Sequence, residues 1–259
     1  MSDAPPSFGG SLELRRLTSV ELGALFARGP VAVLVPVGSV EPHGPHLPLG
    51  TDTTLGEESA NRAARRLTDA GTTTLVAPAI PYGVTDFARG FPGAVGIDAS
   101  LVTRLVATLA RALLAEGFAH VCFVSHHLEP AHDAAVRAGA EGNEKGRVSV
   151  ASPLSRRWGR LLSDEYKSGA CHAGRYETSL VLAAADRVAF DISALPDLDV
   201  SLSKGIAGGL ATFLAMGMTD AYTGSPAHAT REEGEALYEK HVAMIVAEVT
   251  EALASRPES

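Results

Sequence analysis

"VAVLVPVGSVEPHGPHLPLGTDT", residues 31–53, is the stretch that decides the fold. Its first part, 31–38, is almost continuously apolar and rich in Val, which predicts a strand buried on both faces of a parallel sheet. The residues that follow are rich in Gly and Pro, yet they include Glu41, His43 and Asp52. Ligands of open α/β sheets bind beyond the carboxyl ends of the strands. The polar segment is therefore expected at the functional edge of the sheet.

Apolar runs and helical patterns alternate along the rest of the chain. Further buried strands are predicted at 72–83, 120–127 and 147–154. Helices are predicted at 19–29, 52–71, 98–117, 130–142, 177–185 and 230–254. Segment 177–185 also fits a buried strand, although a helix is favoured, and the first helix is expected to be capped by Ser19 and ended by Gly29.

This alternation predicts one α/β domain: a mostly parallel sheet flanked by helices on both faces, in a three-layer α/β/α arrangement. A chain of 259 residues can bury one large core, and no internal repeat or linker divides it. The domain is expected to span 11–259. Residues 1–10 are polar and rich in Pro, which predicts a flexible N-terminal arm.

Composition narrows the class of protein. The net charge of −8, with no stripe of Lys or Arg, argues against a nucleic-acid partner. Cys122 and Cys171 are too few for a disulfide framework, which fits a reducing cytoplasm. No window approaches the roughly 18 apolar residues that span a bilayer, and the N-terminus has no signal-peptide core. A soluble cytoplasmic enzyme or binding protein, without a membrane partner, is expected.

Two more polar clusters add to the candidate site. "SHHLEP", residues 125–130, follows the third predicted strand, and "CHAGRYETS", residues 171–179, lies further along and carries His172 and Glu177. Three separate segments thus supply imidazole and carboxylate groups. Such mixed nitrogen and oxygen ligands suit zinc, manganese or iron.

The spacing within two clusters favours a shared metal site. Glu41 and His43 are two residues apart, as are His127 and Glu129. Residues two apart point to the same side of an extended chain, so each pair could offer one nitrogen and one oxygen ligand. Asp52 could bridge two metals with its two oxygens.

Simpler interpretations compete with these. Taken alone, Asp52 is better explained as the N-cap of the following helix. His46 and His126 are better explained as structural than as ligands, because their neighbours already fill a plausible coordination shell. The other histidines, His120, His132, His228 and His241, have no acidic partner at ligand spacing. Spacing alone leaves the metal site and ordinary loop polarity equally open.

The segment 35–53 resembles the signature of the creatininase family of metal-dependent amidohydrolases. Later family elements recur in order, as "GFPGAVG" at 90–96, "SHHLE" at 125–129 and "HAGRYETSLVL" at 172–182. The resemblance covers about 31–185 and is vaguer towards the C-terminus. It implies two divalent metal ions, zinc first and manganese or iron next, and a homo-oligomer, most simply a hexamer.

Carried onto this chain, the resemblance implies a ligand set. Glu41, Asp52 and His127 would hold one ion. His43, Asp52 and Glu129 would hold the other, so that Asp52 bridges the two. Two such ions can lower the pKa of a shared water, and the resulting hydroxide can attack an amide carbonyl.

The resemblance also implies the residues that move protons. His172 matches the family's acid/base histidine, and an imidazole suits that role because its pKa lies near neutrality. Glu177 would orient or charge-stabilise His172. Together with Glu129, these two residues form the expected catalytic set.

Departures from the family pattern concern the pocket. Ser168 stands where creatininase has a tryptophan, and Phe87 and Ala88 replace a Glu-His pair found in many members. Trp158 could belong to a flap over the site or simply pack at the surface; both remain open. The predicted function is hydrolysis of a non-peptide or cyclic C–N amide bond of a small molecule. The alternatives are a peptidase acting on a modified precursor peptide, a non-hydrolytic metal-binding homologue, or amide formation on the same metals.

Overall fold

The computed structural model describes residues 12–189 and 191–255. Within them, one parallel sheet contains β1 Ala32–Val37, β2 Thr74–Val76, β3 His120–Ser125 and β4 Val148–Ala151, in the order β2-β1-β3-β4. The predicted single-domain α/β fold with a parallel sheet is confirmed. The predicted arm at 1–10 lies outside the described residues, and the boundary at 11–259 stays a prediction.

Helices cover both faces of this sheet. In chain order they are α1 Ser19–Arg28, α2 Thr51–Asp69, α3 Ala99–Glu116, α4 Pro130–Ala140, α5 Arg156–Gly159, α6 Asp164–Ser168, α7 Arg175–Ala183, α8 Leu202–Ala207 and α9 Arg231–Ala254. Short 3-10 turns lie at Leu14–Arg16, Ile192–Ala194 and Pro226–His228. Segment 177–185 falls largely in α7, so the favoured helix is confirmed. No helix in the described part of the chain has the length and apolar character needed to cross a bilayer.

Successive β1 side chains enter two different cores, which explains why the strand is apolar throughout. Val33 and Val35 pack in the layer formed with α1, α3 and α4. Ala32 and Leu34 pack in the layer formed with α2 and α9. A strand with both faces covered has no solvent-facing positions, so the alternation of polar and apolar residues disappears.

The register of the two central strands positions the site. Val37 pairs with Ser125 at the carboxyl ends of β1 and β3. The loop after β1 and the loop after β3 therefore leave the sheet side by side. The polar clusters that follow these strands in sequence are neighbours for this reason.

Two local predictions need correction. The second strand is much shorter than 72–83, because Pro78 and Pro81 follow it and proline cannot donate to a strand ladder. The cap of α1 is Thr18, one residue before the predicted Ser19. Thr18 accepts from the Glu21 backbone N–H while the Glu21 side chain accepts from the Thr18 backbone N–H, a capping box.

Asp52 does not cap α2. Gly50 occupies the N-cap position, and the helix begins at Thr51. The Asp52 side chain lies in the first turn and faces buried imidazoles instead. The N-cap interpretation of this residue is therefore wrong.

Candidate metal centre and active site

The structure brings all seven predicted site residues into one buried cluster beyond the ends of β1 and β3. Relative exposure is 6% or less for each of Glu41, His43, Asp52, His127, Glu129, His172 and Glu177. Four of them are carboxylates, and no Lys or Arg is buried in the described part of the chain. Buried negative charge is costly unless it is paired, so protonated imidazoles or bound cations must neutralise these carboxylates.

Asp52 lies at the centre of the cluster, with each oxygen facing a different histidine. Its Oδ1 is 3.2 Å from His43 Nε2, and its Oδ2 is 2.9 Å from His127 Nδ1. The Oδ2 atom and His127 Nδ1 are both buried without a hydrogen-bond partner of acceptable geometry. Two buried polar atoms without partners at this spacing fit ligands that share a cation.

Glu41 contacts the same histidines from the other side. Its Oε1 is 3.3 Å from His127 Nδ1 and 3.8 Å from His172 Nδ1. Its Oε2 accepts a short hydrogen bond from the Thr85 hydroxyl. The carboxylate is thereby oriented with one oxygen towards the imidazoles.

Backbone carbonyls orient the three site imidazoles. The carbonyl-facing contacts are His43 Nδ1 to Glu41 O at 3.0 Å, His127 Nε2 to Val84 O at 2.6 Å and His172 Nε2 to Pro42 O at 3.0 Å. A carbonyl oxygen only accepts, so the ring nitrogen facing it carries the proton. The opposite nitrogen of each ring then points at the carboxylates, as in metal-ligating histidines whose second nitrogen is held by a hydrogen bond.

Glu129 and Glu177 are also held by backbone N–H groups. The two Glu129 oxygens accept from the N–H groups of Asp86 and Phe87, at 3.1 and 3.3 Å. Glu177 Oε2 accepts from Ala173 N–H at 2.7 Å. Ala173 has φ of +50°, a left-handed conformation that costs a non-glycine residue energy and that marks functional sites.

The electrostatics reflect the crowding of carboxylates. Burial opposes ionisation of Asp52, but the facing imidazoles hold its pKa below the usual value. Burial would lower the pKa of His43, yet the surrounding carboxylates, that of Asp52 foremost, raise it to about 10. Burial raises the pKa of Glu177 to about 8 and that of Glu129 to about 7. The carboxylates therefore favour the protonated, positively charged forms of His43 and His127. A bound cation would neutralise the same negative charge.

The donor atoms form three groups compatible with a metal ion. Within each group the atoms lie no more than 4.8 Å from one another: Glu41 with His127 and Glu129, His43 with Asp52 and Glu177, and Glu41 with His43 and His172. Imidazole nitrogen with carboxylate oxygen is the donor set of zinc and manganese sites. The residues fit a metal centre. Glu129 joins the His127 group, whereas the family resemblance had placed it with His43.

The remaining histidines lie outside these groups. His46 Nε2 contacts Thr178 Oγ1 at 2.9 Å, and the His126 ring packs against His241. The His132 ring packs 4.8 Å from the His127 ring, and its Nδ1 accepts from Val84 N–H at 3.3 Å.

Sequence reasoning missed the segment 84–87 as part of the site. It supplies the Val84 carbonyl, the Thr85 hydroxyl and two backbone N–H groups that hold the cluster. Three of these four groups belong to the backbone, which carries no residue-type signal. The only hint was the departure from the family pattern at Phe87.

A cavity of about 590 Å³ opens from the cluster. Its walls are largely apolar and include Leu154, Leu202 and Phe213. The Phe213 ring lies 4.4 Å from the His172 ring and 6.1 Å from that of Phe87. Phe87, which replaces a polar family residue, therefore forms part of an apolar wall.

Trp158 does not line this cavity. It packs against the α2–α9 core layer, and its Nε1–H donates to Glu248 at 2.6 Å. The packing interpretation of Trp158 holds in the described chain. Its neighbours Ser155, Arg156, Gly159 and Arg160 are among the residues that line the cavity.

Comparison with known proteins identifies the family of this chain. The family model described as creatinine amidohydrolase, creatininase, matches residues 15–249. The chain therefore belongs to the creatininase family of metal-dependent hydrolases.

Among curated relatives, the mycofactocin precursor peptide peptidase of Mycobacterium ulcerans is 30% identical, over 82% of this chain and 81% of the relative. The creatinine amidohydrolase of Pseudomonas putida is 28% identical over 46% of each chain. A solved structure named "Creatininase Mn" superposes with a TM-score of 0.71 at 24% identity, over 94% of this chain and 99% of that one, which shows the shared fold.

Proposed function

We propose that this protein is a metal-dependent hydrolase that cleaves an amide bond in a peptide. The observation that carries the proposal is the cavity of about 590 Å³ opening directly from the cluster of His and carboxylate groups. This volume lies within the ~300–1,000 Å³ of ligand sites and far exceeds a five-membered cyclic amide. The peptidase of Mycobacterium ulcerans also matches 82% of this chain, whereas the creatinine amidohydrolase of Pseudomonas putida matches 46%. A small-molecule amide is the second candidate.

An open cavity at the cluster favours an enzyme over a structural metal site. Structural sites close their coordination shell with protein ligands, whereas catalytic sites keep a position for water or substrate. Glu41, Asp52, His127 and Glu129 all line the cavity. The cluster is thus accessible to a substrate from one side.

The ligand assignment that we propose keeps Asp52 as the shared residue of a two-ion centre. His127 Nδ1 lies 2.9 Å from Asp52 Oδ2 and 3.3 Å from Glu41 Oε1. His43 Nε2 lies 3.2 Å from Asp52 Oδ1. The grouping of donor atoms then favours Glu177 as a ligand on the His43 side, because Glu177 Oε2 is 3.8 Å from His43 Nε2. Zinc and manganese are the candidate ions, since solved creatininases bear the names "Mn" and "Zn-Zn type".

Glu177→Gln tests this assignment against the orienting role that family resemblance implied. We expect the metal content to fall from near two equivalents to near one, because the amide removes the charge that faces His43. Elemental analysis of chelator-free preparations measures it. Two retained equivalents with reduced activity would return Glu177 to an orienting role. Glu165→Gln is the matched control, since Glu165 is a half-buried carboxylate bonded to backbone N–H groups outside the cluster.

The chain's own residues would then handle the proton and the substrate. When bound, the ions would supply Lewis-acid polarisation of the scissile carbonyl and activation of a water nucleophile. The Pro42 carbonyl keeps the His172 proton on Nε2, which leaves Nδ1 to take up a proton and deliver it to the leaving nitrogen. Phe213 covers the His172 ring and limits its exposure to bulk water.

The substrate test compares two classes of amide on the metal-loaded protein. A mycofactocin precursor peptide, in unmodified and enzymatically modified forms, and creatinine are each incubated with the protein and analysed by mass spectrometry. We expect two peptide fragments whose masses sum to that of the peptide plus one water. Turnover of creatinine alone would make the small-molecule candidate correct. A chelated sample should cleave neither. The hexamer stays a prediction, which light scattering would test by measuring the molar mass in solution.

A further inference from the structure

The charged residues that line the cavity are segregated by sign. All four acidic lining residues belong to the buried cluster, whereas the basic ones are Arg156, Arg160 and Lys167. These three come from α5 and α6 and the residues between them, and all three are exposed. The cavity therefore has an acidic, buried end and a basic, solvent-facing end.

Among the residues that the structure describes, the two arginines have no charged partner. Within residues 12–189 and 191–255, neither Arg156 nor Arg160 forms an ion pair or a side-chain hydrogen bond. Their neighbour Arg157 differs, since it pairs with Glu251 and does not line the cavity. Lys167 Nζ lies 2.6 Å from Asp164 Oδ1, so its charge is already paired. Of the described Lys and Arg residues that line the cavity, Arg156 and Arg160 are thus the two without an ion pair.

Apolar side chains also line the cavity. Leu154, Leu202, Ile206 and Phe213 share its wall with the buried cluster and with the two arginines. A ligand that contacts both the cluster and the arginines therefore meets apolar surface as well.

We propose that Arg156 and Arg160 recognise a carboxylate of the substrate, at the far end of an apolar body from the amide that is cleaved. This inference rests on the proposed hydrolase function and narrows its substrate class to acidic amides. Arginine suits the role because its planar guanidinium binds carboxylates through paired hydrogen bonds. The carboxylate could be a peptide C-terminus or an acidic side chain; both present the same group.

Binding measurements test the proposal without requiring turnover. The probes are acetyl-Leu-Leu-Phe with a free C-terminal carboxylate, its C-terminal amide, and the amide of acetyl-Leu-Leu-Glu. Calorimetry on the metal-loaded wild type is expected to show about tenfold or tighter binding of a carboxylate probe, as charge-assisted hydrogen bonds predict. The Glu-amide probe carries its carboxylate in the side chain, so it distinguishes recognition of a side-chain carboxylate from recognition of a C-terminal one.

The variant that removes the site is Arg156→Gln/Arg160→Gln, and the matched control is Arg157→Gln. We expect the double variant to bind acid and amide probes equally while the control keeps the preference. A preference for the carboxylate probes that survives in the double variant would overturn the proposal. The carboxylate would then bind at another place, of which the metal ions are the first candidate. Equal binding of all probes by the wild type would overturn it as well. Peptide cleavage without a carboxylate preference would leave the hydrolase function standing, so the two failures are distinguishable.

Discussion

Asp52→Asn is expected to lose both metal ions and, with them, all measurable hydrolysis. Each oxygen of Asp52 faces a different histidine, and one oxygen lacks any hydrogen-bond partner. Asparagine keeps the shape but has no charge and only one oxygen. Because Asp52 would serve both ions as a shared ligand, we expect a larger loss of affinity than the ~10–100-fold seen when only an outer-shell partner is removed. Elemental analysis of the variant should approach zero equivalents.

His46→Gln is the control for this change. His46 is buried in the same segment but contacts Thr178 and lies outside the candidate ligand groups. We expect it to keep near two equivalents even if its melting temperature falls. One equivalent retained by Asp52→Asn would show that Asp52 serves a single ion. Two equivalents would remove it from the metal centre.

The His172→Ala protein is expected to keep both metal ions and the fold while losing activity by about 10²–10⁴-fold, the usual contribution of a general acid–base group. His172 Nε2 is committed to the Pro42 carbonyl, and its Nδ1 faces the cavity side without a hydrogen bond, 3.8 Å from Glu41 Oε1. The other two site imidazoles lie nearer to the carboxylates. Metal content and turnover are to be measured on one preparation.

Chemical rescue separates proton transfer from a structural role for His172. Imidazole in the buffer should restore part of the activity of His172→Ala, because removal of the ring leaves space beside Phe213 for a small base. Cys171→Ala, at the neighbouring lining residue, should keep wild-type turnover and should not respond to imidazole. Loss of metal in His172→Ala would instead make the residue a ligand. Full activity would leave the proton donor unassigned.

The arrangement of the sheet was accessible from sequence because buried parallel strands carry an unmistakable pattern. β1 and β3 appear as continuous apolar runs, and each is followed at once by polar residues. Spacing of two residues in an extended segment also predicted that His127 and Glu129 would share a site. The end of β2 was missed because Pro78 and Pro81 stop the ladder within an otherwise apolar run.

Partnerships between distant segments were not accessible in the same way. The proximity of Glu177 to His43 depends on how α7 packs against the loop after β1 and against α2, which spacing within either motif does not encode. The Val84 carbonyl that orients His127 belongs to the backbone, and any residue at that position offers the same atom. The role of Asp52 was ambiguous because an aspartate before a helix commonly caps it.

Construction of the metal centre from widely separated segments links its existence to cooperative folding of the whole domain. Donor atoms come from the loop after β1, the first turn of α2, the loop after β3, the approach to α7 and the first turn of α7. No single one of these segments contains a complete set. Ions that bind only this assembled form stabilise it by mass action. The amount of metal retained therefore reports the fraction of folded protein. Substitutions far from the cluster are expected to speed metal release wherever they make global unfolding more frequent.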